Sequence, residues 1–190
     1  MQNIVIVGVG ALGSHLVQFL RNMDVKIRVI DFDRVEQKNT QSQFHSRNAV
    51  GKNKAQVLSQ LMHFLFNFKL EVIPHKLNKD NTEQLLKGAD LIIDCLDNAE
   101  ARELVQNYAR KNNVNCLHGA LSANGDFGRV EWDESFIIDK ETLGAATCEN
   151  GEHLPFIVMT ASFLAQAVKN FLTNGKHTNF QITPVNAIKF

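Results

Sequence analysis

The segment over residues 4–31 constrains the fold of this chain more than any other. A short β-branched run at residues 4–7 is long enough for one buried parallel strand, and it leads directly into Gly8-Val9-Gly10-Ala11-Leu12-Gly13. This G-x-G-x-x-G spacing predicts a tight turn at Gly8, close approach of the backbone to a phosphate at Gly10, and close helix–strand packing at Gly13. The helix predicted over residues 14–23 presents unpaired N–H groups that suit an anion.

A carboxylate follows the second predicted strand. This strand covers residues 26–30 and ends on Asp31, eighteen residues after Gly13. A carboxylate at that point can accept hydrogen bonds from the hydroxyl groups of a ribose. The glycine spacing alone is a weak signal, but a strand, a glycine loop, a helix and a terminal acid in this order predict a Rossmann-like nucleotide-binding unit.

The rest of the chain predicts alternating helices and strands, followed by a change of pattern. Helices are predicted at 55–66, 82–86 and 99–111, and strands at 70–73, 89–96 and 114–120. Residues 126–132, 135–139 and 180–183 are predicted as antiparallel strands, and a helix with an apolar face follows Pro155. We therefore predict an α/β fold, with a Rossmann-like, doubly wound, mostly parallel sheet and an antiparallel C-terminal portion, in a single domain over residues 1–190.

The composition argues against several classes of function. Twenty basic and twenty acidic residues cancel, so we expect no nucleic-acid partner. The first apolar run has no basic segment before it and is interrupted by Gly8, so we expect neither a signal peptide nor a membrane span. The three cysteines, Cys95, Cys116 and Cys148, form no C-x-x-C pair. We therefore expect no disulfide framework, no zinc, and a reducing, cytoplasmic location.

Further motifs separate this chain from an ordinary dinucleotide-dependent dehydrogenase. The pattern D-x-D-x-V-E-x-x-N-x-x-x-Q runs from Asp31 to Gln43, G-x-x-K ends at Lys54, and D-x-x-D-N ends at Asn98. This order resembles the MoeB/ThiF/HesA family, which includes the adenylation domains of ubiquitin-activating enzymes. The resemblance covers nearly the whole chain, and several spaced motifs in the right order are more specific than any one of them.

The resemblance implies an ATP- and magnesium-dependent adenylyltransferase. Such an enzyme activates the C-terminal glycine carboxylate of a small β-grasp protein, ubiquitin-like or sulfur-carrier, and the resemblance also implies a homodimer. Lys54 would hold phosphate oxygens, and Asp97 would bind magnesium, which commonly takes only one or two carboxylates. The residues that the resemblance places at the nucleotide are Gly8, Gly10, Gly13, Asp31, Asp33, Asn39, Gln43, Lys54, Asp97 and Asn98.

One position departs from the family pattern. Ser42 stands where the family has an arginine that steadies the transferring phosphates, and a serine supplies a hydrogen bond but no charge. Arg34 and Arg47 are candidates to replace that charge. The departure keeps open a second hypothesis, a nucleotide-binding or scaffolding member without catalysis. A third hypothesis, an NAD-dependent oxidoreductase, explains the glycine loop and Asp31 but not Lys54.

The cysteines raise a separate question. Cys148 matches a crossover-loop cysteine that accepts a thioester or persulfide in some relatives, which makes it a candidate catalytic residue. Alternatively it is a free loop cysteine, because Glu149 and Glu152 disfavour a thiolate nearby. Cys95 and Cys116 lie within predicted strands and are expected to belong to the core.

Overall fold

A computed structural model describes residues 1–138 and 151–190 of the chain. In these residues eight strands form one mixed sheet in the order β3-β2-β1-β4-β5-β6-β7-β8. The first five strands run parallel to one another, and each of the last three is antiparallel to its neighbours. The predicted fold class is therefore confirmed. The strands are β1 (Gln2–Val7), β2 (Val25–Ile30), β3 (Glu71–Ile73), β4 (Leu91–Asp94), β5 (Asn115–Leu121), β6 (Gly128–Trp132), β7 (Phe180–Thr183) and β8 (Asn186–Lys189).

Helices cover both faces of the sheet. Alternate residues of β1 face opposite sides: Ile4 and Ile6 join the core under α1, α2 and α5, and Val5 and Val7 join the core under α3 and α4. Burial on both faces explains why β1 reads as a continuous apolar run rather than an alternating one. The helices are α1 (Ala11–Leu20), α2 (Lys54–Phe66), α3 (Thr82–Leu86), α4 (Ala99–Asn112) and α5 (Leu154–Asn174).

The strand predicted at 135–139 was wrong. Residues 133–135 form a turn after β6, and residues 136–138 have no strand pairing, while residue 139 lies outside the described residues. The side chain of Phe136 stacks on the ring of His118, with 4.2 Å between ring centroids. Phe136 is therefore buried through its own contacts, whereas Ile137 is 74% exposed, so the segment does not present one face of a strand.

Two further elements differ from the prediction: β8 was not predicted, and α1 was predicted three residues too late in the chain. Pro184 was interpreted as the end of the last strand, but it lies in the two-residue turn between Thr183 and Asn186, which pair with each other. Proline has no N–H to lose at a turn position, so it permits a hairpin there. Helix α1 begins at Ala11 and ends at Leu20, three residues before the predicted bounds at each end, because Gly10 already caps it.

Helix α5 is long and apolar enough, by length and composition alone, to cross a membrane. Its apolar residues Phe156, Leu164 and Val168 are buried against the sheet, whereas Ser162 and Lys169 occupy exposed positions. This pattern is that of a core helix with a polar outer face.

Candidate nucleotide site

The three glycines of the motif, two between β1 and α1 and one in the first turn of α1, have different structural roles. Gly8 has a positive φ of 88°, and a Cβ there would lie 2.9 Å from the carbonyl oxygen of Cys95. A Cβ on Gly13 would lie 2.0 Å from the carbonyl oxygen of Gly8, so this position requires glycine for packing. A Cβ on Gly10 would meet its nearest neighbour, Gln43 Nε2, at 3.8 Å. The open side of the loop at Gly10 thus allows a phosphate to approach the start of α1.

Asp31 binds the glycine loop to the end of β2. Its Oδ2 accepts a hydrogen bond from the Val9 amide at 2.8 Å, and its Oδ1 accepts one from the Asp33 amide at 2.8 Å. Burial raises the pKa of Asp31, against the opposing effects of the Val9 amide and of Lys54. Each carboxylate oxygen keeps a further acceptor site, so a ribose hydroxyl can still bind.

Lys54, the first residue of α2, lies next to Asp33, two residues after Asp31. It is 7% exposed, and its Nζ lies 3.2 Å from Asp33 Oδ2. The preceding residue, Asn53, caps α2 by accepting a hydrogen bond from the Gln56 amide, and its Nδ2 donates to the carbonyl of Asp31. Because this cap also binds the end of β2, the start of α2 and its buried Lys54 ammonium lie next to the 31–33 segment.

Asn39 and Gln43 belong to the loop that follows β2. Asn39 Oδ1 accepts a hydrogen bond from the Glu36 amide at 2.9 Å, and the Asn39 carbonyl accepts one from the Gln43 amide at 2.8 Å. Both side chains are buried, and Gln43 is the neighbour nearest to Gly10. The structure therefore brings the glycine loop, Asp31, Asp33, Lys54, Asn39 and Gln43 together.

Asp97 and Asn98 follow β4 at the same carboxyl edge of the sheet. Both are exposed, and Asn98 Oδ1 accepts a hydrogen bond from the Ala101 amide, so the predicted cap of α4 is confirmed. Residues 1–138 and 151–190 contain no group of three or more His, Cys, Asp or Glu that could hold a metal ion. An exposed carboxylate at this edge fits magnesium, which completes its coordination with phosphate oxygens and water.

Ser42 is 1% exposed, so its side chain is enclosed by the protein. Its carbonyl accepts a hydrogen bond from His15 Nε2 at 2.9 Å, and burial lowers the pKa of His15. Of the two candidate replacements for the family arginine, Arg34 donates to the carbonyl of Gly51 and Arg47 is exposed. The position thus contributes packing and hydrogen bonding to the loop, without charge.

The described cysteines are not nucleophiles. Cys116 Sγ lies 3.5 Å from His118 Nε2, an arrangement that resembles an activated thiol. However, Cys116 is 2% exposed, and burial raises the pKa values of both Cys95 and Cys116. Reaction needs a thiolate, and burial disfavours the thiolate at both positions, which fits the expectation that both cysteines belong to the core. Cys148 lies outside the described residues, and its two hypotheses remain open.

Two features of the site were absent from the sequence analysis. His45 is 6% exposed and its Nε2 donates to the carbonyl of Val9 at 3.0 Å; burial lowers its pKa to about 4. Behind Asp97, Asp94 is paired with Arg102 and His118. Asp94 and His118 are register partners on β4 and β5, so the signal for this pair exists only once the strand alignment is known.

The fold and the site together define a Rossmann-like α/β protein. At one edge of its sheet it has a glycine loop, an acidic residue at the end of β2, and a buried lysine. The ThiF family model matches residues 1–186, and the chain belongs to this family.

Curated relatives and solved structures agree with this assignment. The SAMP-activating enzyme E1 of Haloferax volcanii is 31% identical over 121 residues, which cover 62% of this chain and 45% of that protein. The sulfur carrier protein adenylyltransferase of Thermus thermophilus is 33% identical over 110 residues, covering 56% and 41%. The chain spans less than half the length of either relative. The crystal structure of E. coli MccB with succinimide superposes with a TM-score of 0.79 at 18% identity, covering 100% of this chain and 62% of that one, which shows similarity of fold.

Proposed function

We propose that the chain is an ATP- and magnesium-dependent adenylyltransferase. Its substrate would be the C-terminal glycine carboxylate of a small ubiquitin-like or sulfur-carrier protein of the β-grasp type. The observation that carries the proposal is the combination of a glycine loop that is open at Gly10, Asp31 bound to the Val9 amide of that loop, and the buried Lys54 ammonium next to Asp33. A fixed cation there suits a polyphosphate. The relatives, among them a sulfur carrier protein adenylyltransferase, support the same reaction.

The residues of the site have separate tasks in this reaction. The N–H groups at the start of α1 and the Lys54 ammonium bind phosphate oxygens, and Asp31 orients the ribose. Asp97 would hold magnesium, which neutralises phosphate charge when bound. The attacking carboxylate is already ionised, so the chain needs to supply placement and charge rather than a general base. The carboxylate oxygen bonds to the α-phosphorus, and pyrophosphate leaves.

Ser42 favours a second candidate, a member that binds the nucleotide without transferring it. An arginine clamp on phosphoryl groups is among the largest catalytic contributions, and the enclosed Ser42 brings no charge. The two candidates agree on nucleotide binding and differ in turnover. Exchange of labelled pyrophosphate into ATP, in the presence of a carrier protein, separates them.

A homodimer is also part of the proposal, and two surfaces are candidates for its interface, the apolar face of α5 and the C-terminal strand. The apolar residues of α5 are used in the core, so the outer face of this helix is polar. By contrast, β8 pairs with β7 on one side, and Val185 and Ile188 are 94% and 57% exposed. An edge strand with apolar side chains can pair with the same strand of a second copy.

The first test is titration calorimetry with ATP in the presence and absence of magnesium, and with NAD. We expect ATP binding that depends on magnesium, and we expect Asp97→Ala to weaken it by about tenfold or more, which corresponds to about 1.4 kcal/mol. Asp24→Ala is the matched control, because Asp24 is an exposed acid in the turn before β2. It should bind like the wild type.

Other outcomes would count against the proposal. Binding of NAD without ATP would favour the oxidoreductase hypothesis. ATP binding that ignores both magnesium and Asp97 would remove the assigned role of that carboxylate. Binding of ATP without pyrophosphate exchange would favour the second candidate.

A further inference from the structure

Both backbone groups of Leu96, the residue before Asp97, are held by buried side chains. Asp94 Oδ1 accepts a hydrogen bond from the Leu96 amide at 2.9 Å, and Arg102 Nη2 donates to the Leu96 carbonyl. Arg102 Nη2 also donates to the Gly119 carbonyl on β5 at 2.8 Å. On the other side of Asp97, Asn98 is held as the cap of α4. The backbone of Asp97 is thus fixed from both sides.

Asp94 is itself held by two cations. Arg102 Nη1 and His118 Nδ1 donate to the same oxygen, Oδ2, at 2.8 Å and 2.7 Å. The side chains of Asp94 and His118 are 0% exposed. Burial disfavours the charged forms of both side chains, but Arg102 and His118 keep the pKa of Asp94 below its ordinary value. A buried carboxylate without such partners would be strongly unfavourable.

The contacts continue to the protein surface. His118 Nε2 donates to Asp133 Oδ1 at 3.2 Å, and Arg110 Nε donates to Asp133 Oδ2 at 2.7 Å. Since both ring nitrogens of His118 face carboxylates, the ring fits as an imidazolium that donates on each side. We name the five residues of this chain of contacts the Asp94 network: Asp94, Arg102, His118, Asp133 and Arg110.

We propose that the Asp94 network positions Asp97 for magnesium. The inference rests on the proposed function, in which Asp97 binds the ion. Within the described parts of the chain, the Asp97 side chain has one contact, with Asn98 Nδ2 at 3.5 Å, so its place is set through the backbone. Magnesium demands near-octahedral geometry at about 2.0–2.1 Å, and it tolerates little displacement of a ligand.

The test compares magnesium affinity with magnesium-free nucleotide affinity. Asp133→Asn keeps the shape of the side chain but removes the charge that faces His118. We expect the magnesium concentration for half-saturation of ATP binding to rise by about tenfold, as for other partners behind a metal ligand. The ATP affinity measured without magnesium should stay within about twofold of the wild type.

Two further variants complete the test. Arg110→Gln acts at the surface end of the Asp94 network, where the Arg110 side chain is 54% exposed, and should raise the half-saturation concentration in the same direction by about threefold while the chain stays folded. Lys111→Gln, on the next residue of α4, removes an exposed ion pair with Glu83 outside the Asp94 network. It should leave magnesium binding unchanged.

The outcomes separate positioning from simple stabilisation. If Asp133→Asn and Arg110→Gln lower the melting temperature but match the wild type in magnesium half-saturation, the Asp94 network only stabilises the fold, and the inference is overturned. Equal weakening of ATP binding with and without magnesium would overturn it as well. Failure of the proposed function looks different, because the wild type itself would then show no magnesium-dependent ATP binding.

Discussion

At the scale of single residues, the three glycines of the loop show how one motif combines folding and binding. Gly13 faces the Gly8 carbonyl at a distance that excludes any side chain, whereas Gly10 has free space beside it. The sequence pattern identifies all three glycines in the same way. Only the neighbouring atoms in the structure distinguish the glycine that is required for packing from the glycine that can face a ligand.

This difference predicts opposite effects of the same substitution. Gly13→Ala would place a Cβ 2.0 Å from a backbone oxygen, so we expect a loss of about 3 kcal/mol or more in the free energy of unfolding. Gly10→Ala meets only Gln43 Nε2, at 3.8 Å, and should remain folded while ATP binding weakens by about tenfold or more. Urea unfolding and calorimetry measure the two effects; a stable Gly13→Ala protein would contradict the assigned packing.

At the scale of elements, β4, β5 and α4 are joined by charges as well as by apolar packing. Burial opposes the charges, yet His118 and Arg110 lower the pKa of Asp133 to about 2, and hydrogen bonds to Asp133 and Asp94 raise that of His118. The stabilisation due to Asp133 is present above about pH 4 and is lost as pH falls toward 2. That due to His118 is complete below about pH 6.5 and is lost gradually as pH rises from there toward the raised pKa of about 11.

We therefore expect Asp133→Asn to lower the free energy of unfolding most between about pH 4 and 6.5, by about 1 kcal/mol after allowance for screening by solvent. The difference from the wild type should shrink below pH 4, where the wild type loses the same charge. Urea unfolding at pH 3, 5.5 and 8 measures this, with Asp24→Asn as a control in a turn. A difference that stays constant at all three values would rule out the ionic contribution.

At the scale of the whole molecule, two parts of the sheet stand out. The candidate site lies at the carboxyl ends of the parallel strands, and β8 is the outermost strand at the C-terminal side of the sheet. The carboxyl ends of β1, β2 and β4 bring the glycine loop, Asp31 and Asp97 to one edge, as expected for a doubly wound sheet. At the outermost strand, β8, the side chain of Ile188 is exposed, and so is that of Phe190 just after it. The arrangement of the chain as a single domain is still a prediction.

The role of β8 as the interface of the proposed homodimer can be tested by substitution. If two copies pair through β8, Ile188→Glu should shift sedimentation from dimer toward monomer at micromolar concentration, since like charges would face each other. Phe64→Glu, on the exposed face of α2, is the control for an apolar residue elsewhere, 84% exposed. A dimer unaffected by Ile188→Glu would exclude β8 as the interface, and a wild-type monomer would exclude the homodimer.

The sequence alone predicted the order of the elements from β1 to β6, and it named the candidate residues that the structure brings to one edge of the sheet. Signals that depend on neighbours along the chain were sufficient there: the β-branched run, the glycine spacing after it, Asp31 at a strand end, and the Asn98 cap. Motif order was likewise sufficient for the family. These features are local, so their physical causes lie within a few residues.

Only the tertiary structure decided features that depend on strand register and burial. It placed His118 between Asp94 and Asp133, and it enclosed Ser42, whose burial the sequence did not predict. It also turned the predicted strand after β6 into single contacts around Phe136 and used the apolar face of α5 for the core. Residues far apart in the chain meet in each case, and local patterns do not encode which of them will be in contact.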